Sequence, residues 1–137
     1  VPAIEDELPG LGPLGGIYTG LLRTRTEYNL FLSCDLPFMD SRFLRYLCRQ
    51  ALESRAEVTV PESRGHGLQQ LCAVYRRRVR GMVRARLTAG ENSVIGLLRH
   101  VRRRVISWPE IARAGFAPRI FVNMNTRDEY EAAKRTL

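Results

Sequence analysis

At 137 residues, with 45% hydrophobic and 26% charged side chains, the chain can bury one core and has the composition of an ordinary globular domain. No apolar run approaches the roughly 18 residues that a membrane-crossing helix needs, and the opening residues lack the pattern of a secretory leader. The net charge of +8 rests on arginine, with Lys134 the only lysine, and the runs Arg76-Arg77-Arg78 and Arg102-Arg103-Arg104 lack interleaved aromatics for base stacking; small anions such as nucleotides are therefore expected ahead of nucleic acid.

Val1 has no start-like character, so the sequence is expected to begin part-way along a longer product. Positions 1–11 are irregular and acidic, with Glu5, Asp6 and Glu7 clustered before Pro9 and Gly10. The segment Gly12-Pro13-Leu14-Gly15-Gly16 reads as a glycine-rich turn leading into a helix marked by Ile17, Leu21 and Leu22. Proline suits a helix start, and small residues there leave backbone amides open to an anion, although such turns are often only structural. A strand is predicted over Asn29 to Cys34. From Asp40, the residues Phe43, Leu44, Leu47, Cys48, Ala51 and Leu52 form one apolar helix face, with Arg45 and Arg49 outward.

Glu57 to Val60 is predicted as a short strand stopped by Pro61, positions 62–70 as a loop, and Leu71 to Tyr75 as a second apolar strand. Val79, Met82, Val83 and Leu87 mark a helix ending near Gly90, and Val94, Leu97, Leu98 and Val101 a shorter one. Arg104 to Trp108 and Ile120 to Val122 are further strand candidates. Thr126-Arg127-Asp128-Glu129 matches a capping box that would open a terminal helix. Strands alternating with helices indicate an α/β domain with a mostly parallel sheet, and no internal boundary divides 1–137.

Cys34, Cys48 and Cys72 are odd in number and lack C-x-x-C spacing. They are expected to be reduced core residues of a cytoplasmic protein rather than zinc ligands or disulfides. His66 and His100 carry no partner pattern, and Trp108 and Tyr75 are expected in the core or at a subunit contact.

The stretch Phe31-Leu32-Ser33-Cys34-Asp35-Leu36-Pro37-Phe38 is the most informative in the chain. An apolar run ends in a lone aspartate, followed by a proline that stops continuation. A strand that delivers one carboxylate to the carboxyl edge of a sheet has this form, and ligands bind at that edge in open α/β sheets. One aspartate beside phosphates is a ready ligand for Mg²⁺, which takes few protein carboxylates. Taken alone, the same residues also fit a strand running into a helix cap.

Three segments recur in a fixed order: Gly12-Pro13-Leu14-Gly15-Gly16, Cys34-Asp35-Leu36-Pro37 and Asn123-Met124-Asn125-Thr126. With Gln69-Gln70-Leu71-Cys72-Ala73-Val74-Tyr75 between the last two, the chain from about Ile4 onward resembles the molybdenum cofactor guanylyltransferase family. Gln70 and Arg127 stand where that family commonly has proline. The resemblance implies a three-layer, Rossmann-like α/β fold of the nucleotide-diphospho-sugar-transferase type with a mostly parallel sheet. It also implies a glycine-rich N-terminal nucleotide loop that these 137 residues do not contain. The chain is therefore expected to be the C-terminal two-thirds of a nucleotidyltransferase domain, truncated at its N-terminus.

The implied reaction is transfer of GMP from GTP to molybdopterin, with release of pyrophosphate. By resemblance, Asp35 is the catalytic, Mg²⁺-holding residue. Asp6, with Glu5 as a neighbouring alternative, and Gly12, Pro13, Leu14, Gly15 and Gly16 lie on the nucleotide. Gln69, Asn123 and Asn125 lie on the molybdopterin side, and molybdoenzymes or other cofactor-biosynthesis proteins are possible partners. Alternatives are a related cytidylyl or sugar nucleotidyltransferase, and a non-catalytic molybdopterin-binding module for which the missing loop argues.

Overall fold

In the computed structural model, residues 12–124 are described, and the sheet they form is organised around an inverted inner strand. The strands are β1 (Tyr28–Leu32), β2 (Val58–Ser63), β3 (Gly67–Leu68), β4 (Cys72–Arg76) and β5 (Arg103–Ile106). Their order is β1-β4-β2-β3, with β5 on the other side of β2. β4 runs antiparallel to both β1 and β2, whereas β5 runs parallel to β2. β1, β2 and β5 therefore share a direction. The expected parallel character lies in that common direction, and the pairing across β4 is antiparallel. Hydrophobic runs report burial and not strand direction, so nothing in Leu71 to Tyr75 signals the reversal.

Side chains alternate across a strand, and β4 uses both faces. Ala73 and Tyr75 enter one buried cluster with Leu14, Ile17 and Leu21 of helix α1 (Gly12–Arg23), Val83 of α3 (Arg80–Thr88) and Leu97 of α4 (Val94–Leu98). Cys72 and Val74 enter another with Phe43, Leu47 and Ala51 of α2 (Ser41–Ser54) and Ile111 of α5 (Trp108–Arg113). Two helical layers thus sandwich one sheet, the three-layer α/β arrangement expected.

Local chemistry sets the helix limits. Asp40 caps α2 by accepting a hydrogen bond from the Arg42 N–H at 2.8 Å. The helix ends at Arg55, which is left-handed at φ 56° and donates its N–H to the Ala51 carbonyl. Gly20 in α1 faces Phe31 so closely that a Cβ there would stand 2.6 Å from the ring. That ring meets Tyr75 edge-on, with centroids 5.3 Å apart.

Four predicted boundaries are corrected. Gly12 to Gly16 is not a turn before a helix: α1 already begins at Gly12, whose φ of 67° makes the bend into it. The strand expected to stop before Pro61 continues to Ser63, because Pro61 lies beyond the last β2–β4 pair, at Thr59, and its missing N–H breaks no bond of that ladder. Within the expected loop 62–70, Gly67 and Leu68 fold back on Ser63 and Glu62 as β3. Ile120 to Val122 is not a strand: Pro118–Phe121 is a 3₁₀ turn that turns Ile120 and Phe121 inward together, which a strand's alternation forbids. Phe121 meets Phe43 edge-on with centroids 5.3 Å apart.

The strand expected over Arg104 to Trp108 ends at Ile106, because Ser107 and Glu110 form a capping box that opens α5. Arg104 clamps the box by donating from Nη2 to Glu110 Oε1 at 2.8 Å and to Gln50 of α2 at 3.1 Å. No helix among the described residues is long and apolar enough to cross a membrane. The capping box at Thr126 and the terminal helix lie outside the described residues.

Phe43 is wholly buried and touches the rings of Tyr46, Phe116 and Phe121. Phe43→Ala is expected to cost about 3–5 kcal/mol in urea denaturation; a loss below ~1 kcal/mol would mean that this cluster closes over the gap.

The Arg104 guanidinium and the Ser107 N–H hold the Glu110 carboxyl down at about 2, from an ordinary 4.5. Because the folded value is the lower one, this stabilisation is present above about pH 4.5 and lost as pH falls through about 2. Partial exposure of the pair limits it to about 1 kcal/mol. Glu110→Gln should therefore be less stable than the parent at pH 7, and the gap should narrow on acidification; a gap that does not change with pH would refute the assignment.

Candidate functional site at the carboxyl edge of the sheet

Beyond β1, the Ser33 N–H donates to the Leu71 carbonyl at 2.7 Å, adding one rung to the β1–β4 ladder. The chain then turns, Leu36 enters the core and the Met39 N–H closes back on the Leu36 carbonyl at 3.2 Å. Asp35 is held between this last rung and buried Leu36, half exposed at the carboxyl end of β1. The Ser33 hydroxyl donates to Asp35 Oδ1 and fixes the carboxylate's orientation. No cation pairs with Asp35 among the described residues.

The Asp35 carbonyl accepts the Met124 N–H at 2.8 Å. This bond joins the loop after β1 to the segment leaving the 3₁₀ turn and brings exposed Asn123 beside the aspartate's loop. Gln69 comes to the same edge from β4's approach. It donates from Nε2 to Ser63 Oγ at 2.8 Å and from its N–H to the Pro61 carbonyl at 2.9 Å. Its neighbour Gln70 is held by the Tyr75 hydroxyl, which donates to the Gln70 carbonyl at 2.7 Å from inside the core. Burial pushes the Tyr75 phenol up, so the proton of that bond is retained.

The C-terminal end of α1 lies at the opposite edge, where Arg77 donates from Nε to the Thr24 carbonyl at 3.1 Å. The twelve-residue helix rises about 18 Å, which carries Gly12 and Pro13 back toward the carboxyl edge. Gly12 and Pro13 are exposed and Gly16 half-buried, but Leu14 and Gly15 are buried and Leu14 packs in the core. Asp6, Glu5 and Asn125 lie outside the described residues.

Two recesses flank this edge. One of about 340 Å³ opens between Pro37, Phe38 and Met39 and the Phe116 to Arg119 segment, directly along the chain from Asp35. The other, about 480 Å³, is lined by Arg86, Asn92, Arg99 and His100 and adjoins the start of α1, where Asn92 lies 3.9 Å from a Cβ placed on Gly12. No three acidic, histidine or cysteine side chains converge as a metal cage among the described residues. A single carboxylate with one oxygen held by Ser33 suits Mg²⁺ that keeps phosphate and water oxygens for most of its shell.

Sequence reasoning found Asp35, Asn123 and Gln69, which the fold brings to one edge. It missed Ser33 and Ser63, which orient Asp35 and Gln69, because a serine in or beside an apolar run has no distinguishing spacing. It also missed the Met124 N–H, since a backbone donor leaves no trace in residue type.

The chain belongs to the MobA-like NTP transferase domain family, whose model matches residues 1–107. It is similar to the molybdenum cofactor guanylyltransferase of Syntrophotalea carbinolica, at 33% identity over 134 residues, 96% of this chain and 62% of that relative. A crystal structure of a protein from Aquifex aeolicus VF5 matches at TM-score 0.75 and 27% identity, covering 93% of this chain and 63% of that one. Molybdopterin-guanine dinucleotide biosynthesis protein A from Archaeoglobus fulgidus matches at TM-score 0.81 over 97% of this chain and 66% of its own; at 18% identity this is a likeness of fold. The chain thus spans about 62% of the length of the curated relative.

Cys34 is exposed beside Asp35, Cys48 half-buried and Cys72 buried, with burial pushing the Cys72 thiol up to about 12. At pH 8, a thiol reagent is expected to modify Cys34 first and Cys72 only on unfolding. If nucleotide binds at this edge, Mg²⁺ and GTP together should slow modification of Cys34 and leave Cys48 unaffected. Labelling of Cys34 unchanged at saturating GTP would move the nucleotide elsewhere.

Proposed function

We propose that this domain serves guanylyl transfer: an oxygen of the terminal phosphate of molybdopterin attacks the α-phosphorus of GTP, the α–β phosphoanhydride bond breaks and pyrophosphate leaves. The observation that carries the reading is the Asp35 carbonyl bonded to the Met124 N–H, which unites a lone carboxylate with the Asn123 segment at the sheet's carboxyl edge. The name of the Syntrophotalea relative supports the choice of reaction. The likeness in fold to a molybdopterin-guanine dinucleotide biosynthesis protein agrees with it.

Such transfer depends on positioning and charge neutralisation, because the attacking phosphate is already an anion and needs no protein nucleophile. Asp35 would hold Mg²⁺, which when bound neutralises charge on the triphosphate. Ser33 keeps the carboxylate oriented for that role. Asp6 and the Gly12 to Gly16 segment would meet the nucleotide, through exposed Gly12 and Pro13 and half-buried Gly16, whereas Leu14 and Gly15 are buried and Leu14 anchors the segment in the core. Asn123, Asn125 and Gln69 would offer neutral donors and acceptors to the pterin. We assign the work to the reducing cytoplasm, where three unpaired cysteines, one of them exposed, persist.

The test uses protein expressed from the whole reading frame, GTP labelled at the α-phosphate, Mg²⁺ and molybdopterin. Labelled dinucleotide is the expected product, and Asp35→Asn should slow its formation about 10²–10³-fold without altering the circular dichroism spectrum. Wild-type turnover in that variant would remove Asp35 from the site. Molybdopterin binding without transfer would favour a binding module.

A further inference from the structure

The two arginine runs, 24 residues apart in the chain and of no use to transfer chemistry, meet at the edge of the sheet opposite the candidate site. Arg76 ends β4 and Arg102 immediately precedes β5, and both guanidinium groups converge on one oxygen. Arg76 Nη1 donates to the Arg55 carbonyl at 2.9 Å, and Arg102 Nη2 donates to the same carbonyl at 2.8 Å. Arg55 is itself exposed and stands at the left-handed cap of α2, where glycine is the usual residue. Arg77 is anchored on the Thr24 carbonyl and Arg103 on the Leu98 carbonyl, at 3.1 and 2.8 Å. Arg78 extends into solvent with 58% of its side chain exposed.

Among the described residues, two carboxylates form ion pairs with these six arginines: Glu27 with Arg76, and Glu57 with Arg78 at 3.8 Å. Like charges brought together repel, and the cost rises as side chains are held in place. Here the fold itself holds Arg76, Arg77, Arg102 and Arg103 through backbone carbonyls, and Arg55, Arg78, Arg102 and Arg103 stand exposed. A surface so arranged is complementary to a row of anions, and planar guanidinium forks pair with carboxylates in bidentate fashion.

We propose that this edge is a docking surface for an acidic peptide segment of a partner protein. Carboxylates are favoured because the cluster already binds two of its own, Glu27 and Glu57. Its nearest aromatic, Tyr28, has its face covered by the Arg76 guanidinium 5.0 Å from the ring centre and offers no platform for a base. Because the surface lies at the amino ends of β1, β2 and β5, a partner docked there leaves the Asp35 edge open to its substrates.

Fluorescence polarisation with a labelled ten-residue polyglutamate peptide tests this, with a ten-nucleotide oligothymidylate as the competing probe. The peptide is expected to bind, with affinity falling as salt rises. The double variant Arg78→Glu, Arg102→Glu should weaken it at least about tenfold, whereas Arg45→Glu, on the outward face of α2, should change it less than about twofold. Arg55→Gly relieves the left-handed residue, so it should weaken binding about threefold while the melting temperature holds or rises. Equal losses from Arg45→Glu and from the double variant would reduce the effect to net charge and overturn the proposal. So would unchanged affinity in both the double variant and Arg55→Gly, or tighter binding of the oligonucleotide through the same residues.

Discussion

Both hydrophobic layers of this fold depend on the inverted strand β4. Its five residues sit between β1 and β2 with hydrogen-bond partners on each side. Its alternation sends Tyr75 and Ala73 into one core and Val74 and Cys72 into the other. A one-residue slip would exchange those sets and put a tyrosine where Val74 packs, so the register is fixed from both faces at once. The same strand fixes the site: Leu71 gives Ser33 its last rung, and the Tyr75 hydroxyl reaches back to hold the Gln70 carbonyl. Position at the sheet's edge is thus set by packing at its centre.

What could be read from the sequence divides along that line. The apolar strands, the aspartate at the end of β1 and most of the α2 face, with Phe43, Leu47 and Ala51 buried, were legible because burial and period are local properties of residue type, whereas Leu52 on that face stands 58% exposed. Strand direction was not, since β4 reads alike either way round. The ends of elements were lost where two signals competed, as when Pro61 was read as the stop of a strand whose β4 pairing ends at Thr59 and which continues beside β3. In the α5 region the capping pair Ser107 and Glu110 was present in the sequence, but an apolar run reaching Trp108 masked it. At the candidate site, Asp35, Gln69 and Asn123 stand out by residue type, whereas the serines hydrogen-bonded to Asp35 and Gln69 do not. Asp6 and Asn125 lie outside the described residues, so their roles rest on resemblance.

One further consequence follows from strand order. β1 is the outer strand of the described sheet on its side, and its Leu30 and Leu32 stand exposed at 38% and 46%. An edge of this kind, with unpaired backbone groups and apolar side chains, is ordinarily covered in native proteins because it templates association. Relatives of this family are longer by more than a third of their own length than the stretch this chain spans.

Charge is partitioned by the same geometry. Strands that share a direction put their carboxyl ends, with Asp35, Gln69 and Asn123, on one edge, and their amino ends on the other. The arginine runs flank β4's end and β5's start, so the fold collects on the far edge charge that in sequence looks like compositional bias. The net charge of +8 is therefore not spread evenly over the protein. On the proposed function, a nucleotide at the candidate site would be held by close contacts to backbone and to the metal that Asp35 would carry. That is the kind of binding a helix start with exposed Gly12 and a single oriented carboxylate can supply.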